Sequence, residues 1–208
     1  MTDKPTCVFV IDDDDSVRRS LKVLLESLNY DVETFASGEQ FLARKPFHGI
    51  GCIILDVRMP GLSGLDLQEQ LIQTEHPMPI VFITGHGDLP MGIDAMKKGA
   101  VDFLPKPFDD EQLITAVELA LEKERKARAE FDRLHSFREC LKTLSPREYD
   151  VFRQVITGRL NKQIAAALNI AEQTVKIHRA RVMRKLKVDS LAELVRLAEN
   201  AGIPLPEE

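Results

Sequence analysis

Tryptophan is absent from the 208 residues, tyrosine occurs twice and cysteine three times. The cysteines (Cys7, Cys52, Cys140) are odd in number, widely spaced and mostly flanked by apolar residues. They suggest reduced core residues of a cytoplasmic protein rather than a disulfide frame or a metal site. Long hydrophobic runs are lacking as well. Cys52–Leu55 and Pro79–Ile83 suit buried strands and are far too short to cross a bilayer. The opening Met1-Thr2-Asp3-Lys4 has no basic stretch leading into an apolar one, so a secretory signal is not expected. Neither an internal repeat nor a low-complexity segment is found.

What is present divides in two. The length suits two small domains, each able to bury a core. Residues 1–122 hold 10 Lys/Arg against 21 Asp/Glu, whereas 123–144 hold 7 against 4 and 145–208 hold 11 against 8. An acidic front joined to a basic rear implies different partners for each, and only the rear would attract a polyanion such as DNA.

The front alternates strand-like and helix-like segments. Strands are expected at Val8–Ile11, Asp31–Phe35, Cys52–Leu55, Ile80–Thr84 and Ala100–Leu104. Helices are expected near Ser16–Leu28 (ended by Asn29), Gly38–Ala43, Ser63–Thr74 and Met91–Lys98, and from Asp109 or Asp110 onward. Five strands interleaved with helices predict an α/β sandwich on a parallel sheet. No turn residue interrupts Leu119–Leu144. Between Leu121 and Phe131 there is no large apolar side chain, so this charged middle is expected to pack poorly. Phe131, Leu134, Leu141 and Leu144 then resume an apolar stripe, and the segment reads as an extended helix or helical linker. Beyond it all is helical. Ser145-Pro146-Arg147-Glu148 carries a capping box, Gly158 punctuates, and short helices follow at Asn161–Leu168, from Glu172 or Gln173 to Lys185, and from Ser190 to before Gly202.

The C-terminal ends of parallel strands meet at a common crevice. Asp12-Asp13, Asp56, Thr84 and Lys106 fall at or just after those ends. Clustered carboxylates would repel one another without a cation, and Mg²⁺ suits such oxygen donors. A carboxylate left free to attack could then accept a phosphoryl group, with Thr84 and Lys106 contacting its oxygens. Taken singly, each residue has a plainer explanation. Asp14, Asp15 and Ser16 can be helix caps, Phe103 core, and Lys106 a surface lysine.

Jointly, Ile11-Asp12-Asp13-Asp14, Asp56-Val57-Arg58-Met59-Pro60-Gly61-Leu62-Ser63-Gly64, Thr84-Gly85-His86 and Lys106-Pro107-Phe108 resemble the receiver domain of bacterial response regulators, over roughly residues 5–122. The resemblance implies Asp56 as phosphoacceptor. It implies Mg²⁺ on the side chains of Asp13 and Asp56, on the Arg58 carbonyl, and on Asp12 through a water. It also implies a cis peptide before Pro107 and a switch pair of Thr84 and Phe103. Arg58 and His86 stand where the family tunes dephosphorylation.

Residues 173–187 hold six Lys/Arg and no acid. Val175, Val182, Met183 and Leu186 supply a buried stripe, leaving Lys176, Arg179, Arg181 and Arg184 to face outward, as a helix entering the major groove would need. Leu144–Glu148, Asn161-Lys162-Gln163-Ile164-Ala165 and Thr174-Val175-Lys176-Ile177-His178 resemble the LuxR/NarL-type helix-turn-helix over about 143–202. That family implies base-edge positions at Lys176, Ile177 and Ala180. Its candidate phosphate contacts are Asn161, Lys162, Thr174, His178, Arg179 and Arg184, although His178 could equally be a packed or capping residue. The last helix is similar to the family's dimerisation helix. Thr84–Met91 followed by Ala100–Phe103 is similar to the FixJ-like branch.

The expectation is therefore a receiver (1–122), a helical linker (123–142) and a DNA-binding domain (143–208). The receiver would have a five-stranded sheet of order 2-1-3-4-5. The protein would be no enzyme beyond its own phosphorylation chemistry. The resemblance implies a sensor histidine kinase, promoter DNA and RNA polymerase as partners, a homodimer on phosphorylation, no membrane association and an activator's role. A Mg²⁺-dependent phosphohydrolase is the competing enzyme class, but Arg58 stands where its second acid belongs. A receiver serving only as a phosphate-insensitive dimerisation module is the other alternative.

Overall fold

The computed structural model describes residues 4–85 and 89–204, in two compact units that divide between Arg128 and Ala129. The first unit contains β1 (Thr6–Ile11), α1 (Asp15–Ser27), β2 (Asp31–Phe35), α2 (Gly38–Leu42), β3 (Ile50–Asp56), α3 (Gly64–Ile72), β4 (Ile80–Thr84), α4 (Leu89–Lys97) and β5 (Asp102–Pro105). It also holds the first turns of α5 (Asp110–Leu141). All strand pairs are parallel, in the order β2-β1-β3-β4-β5. Successive side chains of a strand point to opposite faces. Phe9, Ile11, Ile53, Leu55 and Phe82 accordingly fill one core, and Val8, Val10, Ile54, Val81 and Ile83 the other. Burial on both faces is why these strands read as unbroken apolar runs.

Local chemistry sets the element ends. Asp14 caps α1, its Oδ1 accepting from the backbone N–H of Ser16 at 2.7 Å and of Val17 at 3.4 Å. Asn29 leaves that helix with φ 64°. β5 starts two residues later than expected, after a left-handed turn at Gly99 (φ 93°), and runs to Pro105.

The second unit holds α6 (Pro146–Val155), α7 (Asn161–Leu168), α8 (Glu172–Leu186) and α9 (Leu191–Asn200). The Ser145/Glu148 capping box starts α6, and Asn169 in the left-handed region (φ 52°) turns the chain from α7 toward α8. Val151, Phe152, Ile164, Val175, Val182, Leu194 and Leu197 form its core.

The segment between the expected domains is helix up to Leu141, continuous with the helix begun at Asp110. Its charged middle is mostly exposed, as expected, with one exception. Glu124, inside the stretch expected to pack poorly, is 1% exposed, with its carboxylate oxygens 2.9 and 3.1 Å from Nε2 of His76 in the α3–β4 loop. A search for large apolar side chains cannot find a buried acid with a partner. The resumed apolar stripe is anchored by Phe137, which was passed over. It is fully buried with its ring centroid 6.4 Å from that of Phe152.

Candidate functional site

Asp12 follows β1, Asp56 closes β3, Thr84 closes β4 and Lys106 follows β5. Parallel strands deliver all four to one sheet edge. Lys106 Nζ lies 2.7 Å from Asp12 Oδ2 and 2.8 Å from Asp56 Oδ1, linking two carboxylates that are both buried. Each remaining carboxylate oxygen accepts a backbone N–H, from Asp14 to Asp12 Oδ1 at 2.8 Å and from Arg58 to Asp56 Oδ2 at 2.7 Å. Burial pushes the Asp12 carboxyl above its ordinary range, against the pull of Lys106. Burial alone would lower the Lys106 ammonium, but its bonds to Asp12 and Asp56 outweigh this and hold it above its usual value.

Backbone contacts fix these positions. The Lys106 N–H donates to the Thr84 carbonyl at 2.7 Å, and the Lys106–Pro107 peptide is cis, as expected. Gly64 presses on Asp56 from below: a Cβ there would stand 2.2 Å from the Asp56 carbonyl oxygen. Its N–H donates to the Val57 carbonyl at 3.0 Å.

The other expected residues lie around this centre. Thr84 is 1% exposed, whereas Asp13 and the Arg58 side chain are exposed. Phe103 is partly buried, its ring 6.3 Å from that of Phe82. His86 falls outside the described residues. Among the described residues no three His, Cys, Asp or Glu side chains are gathered tightly enough to hold a metal ion. Lys106 instead bridges Asp12 and Asp56. Two buried carboxylates facing one ammonium leave negative charge in excess, and the donors are all oxygens, which is the chemistry Mg²⁺ takes.

In the second unit, α7 and α8 are joined by the Asn169 turn. Val175, Val182 and Leu186 bury one side of α8. Lys162, Lys176, Ile177, Ala180, Arg181 and Arg184 are exposed, Ile177 keeping 45% of its surface. Thr174, His178, Asn161 and Arg179 are half-buried. Arg179 corrects the expectation that it faces outward freely, because its Nη1 donates to Asn161 Oδ1 at 3.2 Å and ties α8 to α7. His178 is packed, with a buried Nδ1 that has no hydrogen-bond partner.

Two family patterns match the chain. The response regulator receiver domain covers residues 8–118, and the luxR family of bacterial regulatory proteins covers 142–198. The chain is a response regulator with a LuxR-type DNA-binding domain. Nodulation protein W of Bradyrhizobium diazoefficiens is 49% identical to the regulator over 196 residues, 94% of this chain and 86% of that protein. The response regulator TodT of Pseudomonas putida is 45% identical over 199 residues, covering 96% and 88%. Among solved structures, that of the response regulator StyR shares 48% identity at a TM-score of 0.79, covering 95% of this chain and 99% of that one. TodT is named a response regulator and FixJ of Bradyrhizobium diazoefficiens a transcriptional regulatory protein, which favours a regulator over the phosphohydrolase reading.

Several residues that build the regulator's sites escaped sequence reasoning. Arg18, on α1, donates through Nη1 to the carbonyls of Asp12 at 2.7 Å and Asp13 at 2.9 Å, and through Nη2 to Asp15 at 3.0 Å. It holds the acidic loop closed. Lys185, one of the six basic residues of 173–187 and not assigned to the outward face, turns inward, donating to buried Glu148 at 2.6 Å and to the Thr143 carbonyl at 3.0 Å. Arg133 of α5 bonds the carbonyl at the end of α8. The signal for each was a charged residue on a helix face, and such residues are most often simply solvated. Among the described residues, no helix is long and apolar enough to cross a membrane.

Proposed function

We propose that Asp56 is the phosphoacceptor and that its modification governs promoter binding through α8. The observation that carries this reading is Lys106 Nζ held between Asp12 and Asp56 at 2.7 and 2.8 Å, at the edge where four strands end. An Asp56 carboxylate oxygen attacks the phosphorus of a phosphohistidine on a sensor histidine kinase. The O–P bond forms, the N–P bond breaks, and the departing imidazole nitrogen keeps the electron pair. Lys106 is placed to pair with the charge added to Asp56, and the Thr84 hydroxyl to donate to a phosphoryl oxygen. Asp13, Asp56 and the Arg58 carbonyl would hold Mg²⁺, with Asp12 acting through a water, and the ion supplies neutralisation of the oxygens during transfer.

The phosphoryl group on Asp56 draws the Thr84 hydroxyl toward it and lets Phe103 turn inward, which alters the surface formed by α4 and β5. Two regulators then pair, and two α8 helices read two half-sites, with Lys176, Ile177 and Ala180 at base edges. Asn161, Lys162, Thr174, His178, Arg179 and Arg184 serve the phosphates. Residues 1–122 would act as receiver, 123–142 as linker and 143–208 as DNA-binding domain. The regulator would work in the cytoplasm as an activator that recruits RNA polymerase.

The test is exposure of the native protein and Asp56→Asn to Mg²⁺ and acetyl phosphate, followed by intact mass, with light scattering under beryllofluoride. A gain of one phosphoryl group and a doubled mass in the native protein alone support the reading. An equal gain in Asp56→Asn rejects Asp56 as the acceptor.

A further inference from the structure

We propose that Arg133 is a positioning residue for base readout: from α5 it clamps the C-terminal end of α8 and thereby sets how the first turn of α8 meets DNA. This rests on the reading of α8 as the recognition helix. Arg133 lies outside both matched families' ranges, in a segment read from the sequence as a linker. Its Nη2 donates to the Lys187 carbonyl at 2.7 Å and to Glu193 Oε1 at 2.5 Å.

Lys187 is the C-cap of α8, in the left-handed region at φ 53°, where most helices use glycine. The last carbonyls of a helix have no partner within it and carry its negative end, so a guanidinium there satisfies an acceptor and complements the dipole. Glu193 extends the clamp, its Oε2 accepting the Asp189 N–H at 3.1 Å in the α8–α9 turn. Phe137, one turn along α5, is buried in the same core, so Arg133 reaches α8 from a helix that is itself held.

The mechanical consequence follows from lengths. A helix of 15 residues is about 22 Å long, so a tilt of about 3° around its middle moves the first turn by roughly 0.5 Å. Base contacts must be held to about that tolerance, whereas phosphate contacts from long basic side chains adapt. The middle of α8 is tied to α7 through Arg179 and Asn161, and its last turn to α6 through Lys185 and Glu148. Arg133 adds a third tie, to the backbone of the C-cap itself. Its loss should therefore erode sequence discrimination while sparing sequence-independent affinity.

The experiment uses the full-length protein with Mg²⁺ and beryllofluoride. The probes are a duplex enriched by the native protein from a random 30-base-pair pool and a scrambled duplex of the same composition. Arg133→Met keeps the aliphatic stem, Arg133→Lys keeps the charge, and Val155→Ala lowers stability by opening the core at α6 rather than at α5. The expected result for Arg133→Met is at least a tenfold fall in the enriched-to-scrambled affinity ratio, with scrambled affinity and its salt slope within twofold of native. Arg133→Lys should recover part of the ratio. An unchanged ratio in Arg133→Met overturns the proposal. So does an equal fall in Val155→Ala at matched melting temperature, which would make the effect one of stability. Lys176→Ala separates the two levels. If it lowers the ratio while Arg133→Met does not, the clamp fails alone, and if it leaves the ratio intact, α8 is not the reader and both fail.

Discussion

The ring of Phe103 occupies the space that a side chain on Gly92 would need: a Cβ there would stand 3.1 Å from Cδ1 and 3.2 Å from Cε1. Gly92 lies in α4 and Phe103 in β5, and the two border an open groove of about 700 Å³ with Ile93 and Met96.

Gly92→Ala should therefore disfavour the present ring position. Contacts of this length require the neighbour to yield by a few tenths of an ångström, and a partly exposed ring can do so. Alanine in a helix interior gains about 1 kcal/mol over glycine, so the melting temperature should stay level or rise. The expected outcome is several-fold stronger DNA binding without phosphorylation, measured by fluorescence anisotropy. Unchanged basal binding would show that the ring position does not govern the output.

Lys106→Met removes the cation shared by Asp12 and Asp56. Deleting one partner of a buried pair costs about 3–5 kcal/mol, and the lower end is expected here at pH 7 because Lys106 keeps part of its surface in solvent. Burial and the Asp56 charge both raise Asp12, and losing Lys106 raises it further. A folded-state value above the unfolded one means the fold takes up a proton, so the variant is steadied below the unfolded value and loses that support as pH rises through the folded one. Urea melts should place the variant closer to native at pH 5 than at pH 7, and added Mg²⁺ should close part of the gap at pH 7.

The bond from Lys185 holds the Glu148 carboxyl down at about 2, against an ordinary 4.5, with help from the Ser145 N–H. A lowered carboxyl stabilises the fold above its unfolded value, and that contribution fades as pH falls from about 4.5 toward 2. Glu148→Gln should flatten this acid dependence. Glu148→Ala should cost about 1–2 kcal/mol at neutral pH, through loss of the capping box and of the Lys185 partner, readable by urea melts.

Glu124→Ala opens the contact with His76 at the start of the segment between the two matched families. Since the His76 side chain keeps part of its surface in solvent, about 2 kcal/mol is expected rather than the full value for a broken buried ion pair. Denaturation followed by circular dichroism measures it, and a cost under about 0.5 kcal/mol would show that the pair is not an anchor.

Most of the first unit was legible because its strands are buried on both sides and its acids fall at strand ends. Asp12, Asp56, Thr84 and Lys106 needed only the topology of a parallel sheet to bring them together. The helix-turn-helix was legible through the charge asymmetry of α8. What escaped was pairing at a distance. His76 and Glu124 are 48 residues apart, and Arg133 and Glu193 are 60 apart. Nothing local in either sequence neighbourhood distinguishes a charged residue that meets its counterpart from one that faces water. Phe137 was missed for a different reason: a stripe traced through neighbouring leucines stepped over the one residue at the correct spacing that is fully buried.

Gly64 carries a consequence for how the protein can vary. With 2.2 Å to the Asp56 carbonyl oxygen, even a methyl group would have to displace main chain, because no side chain stands there to give way. Every charge of the pocket would survive such a change, and only the position of the acceptor would be lost. Mutational drift is thus closed at a residue with no functional group at all. A chain altered only at Gly64 would still carry the full phosphorylation motif on paper while being unable to form it.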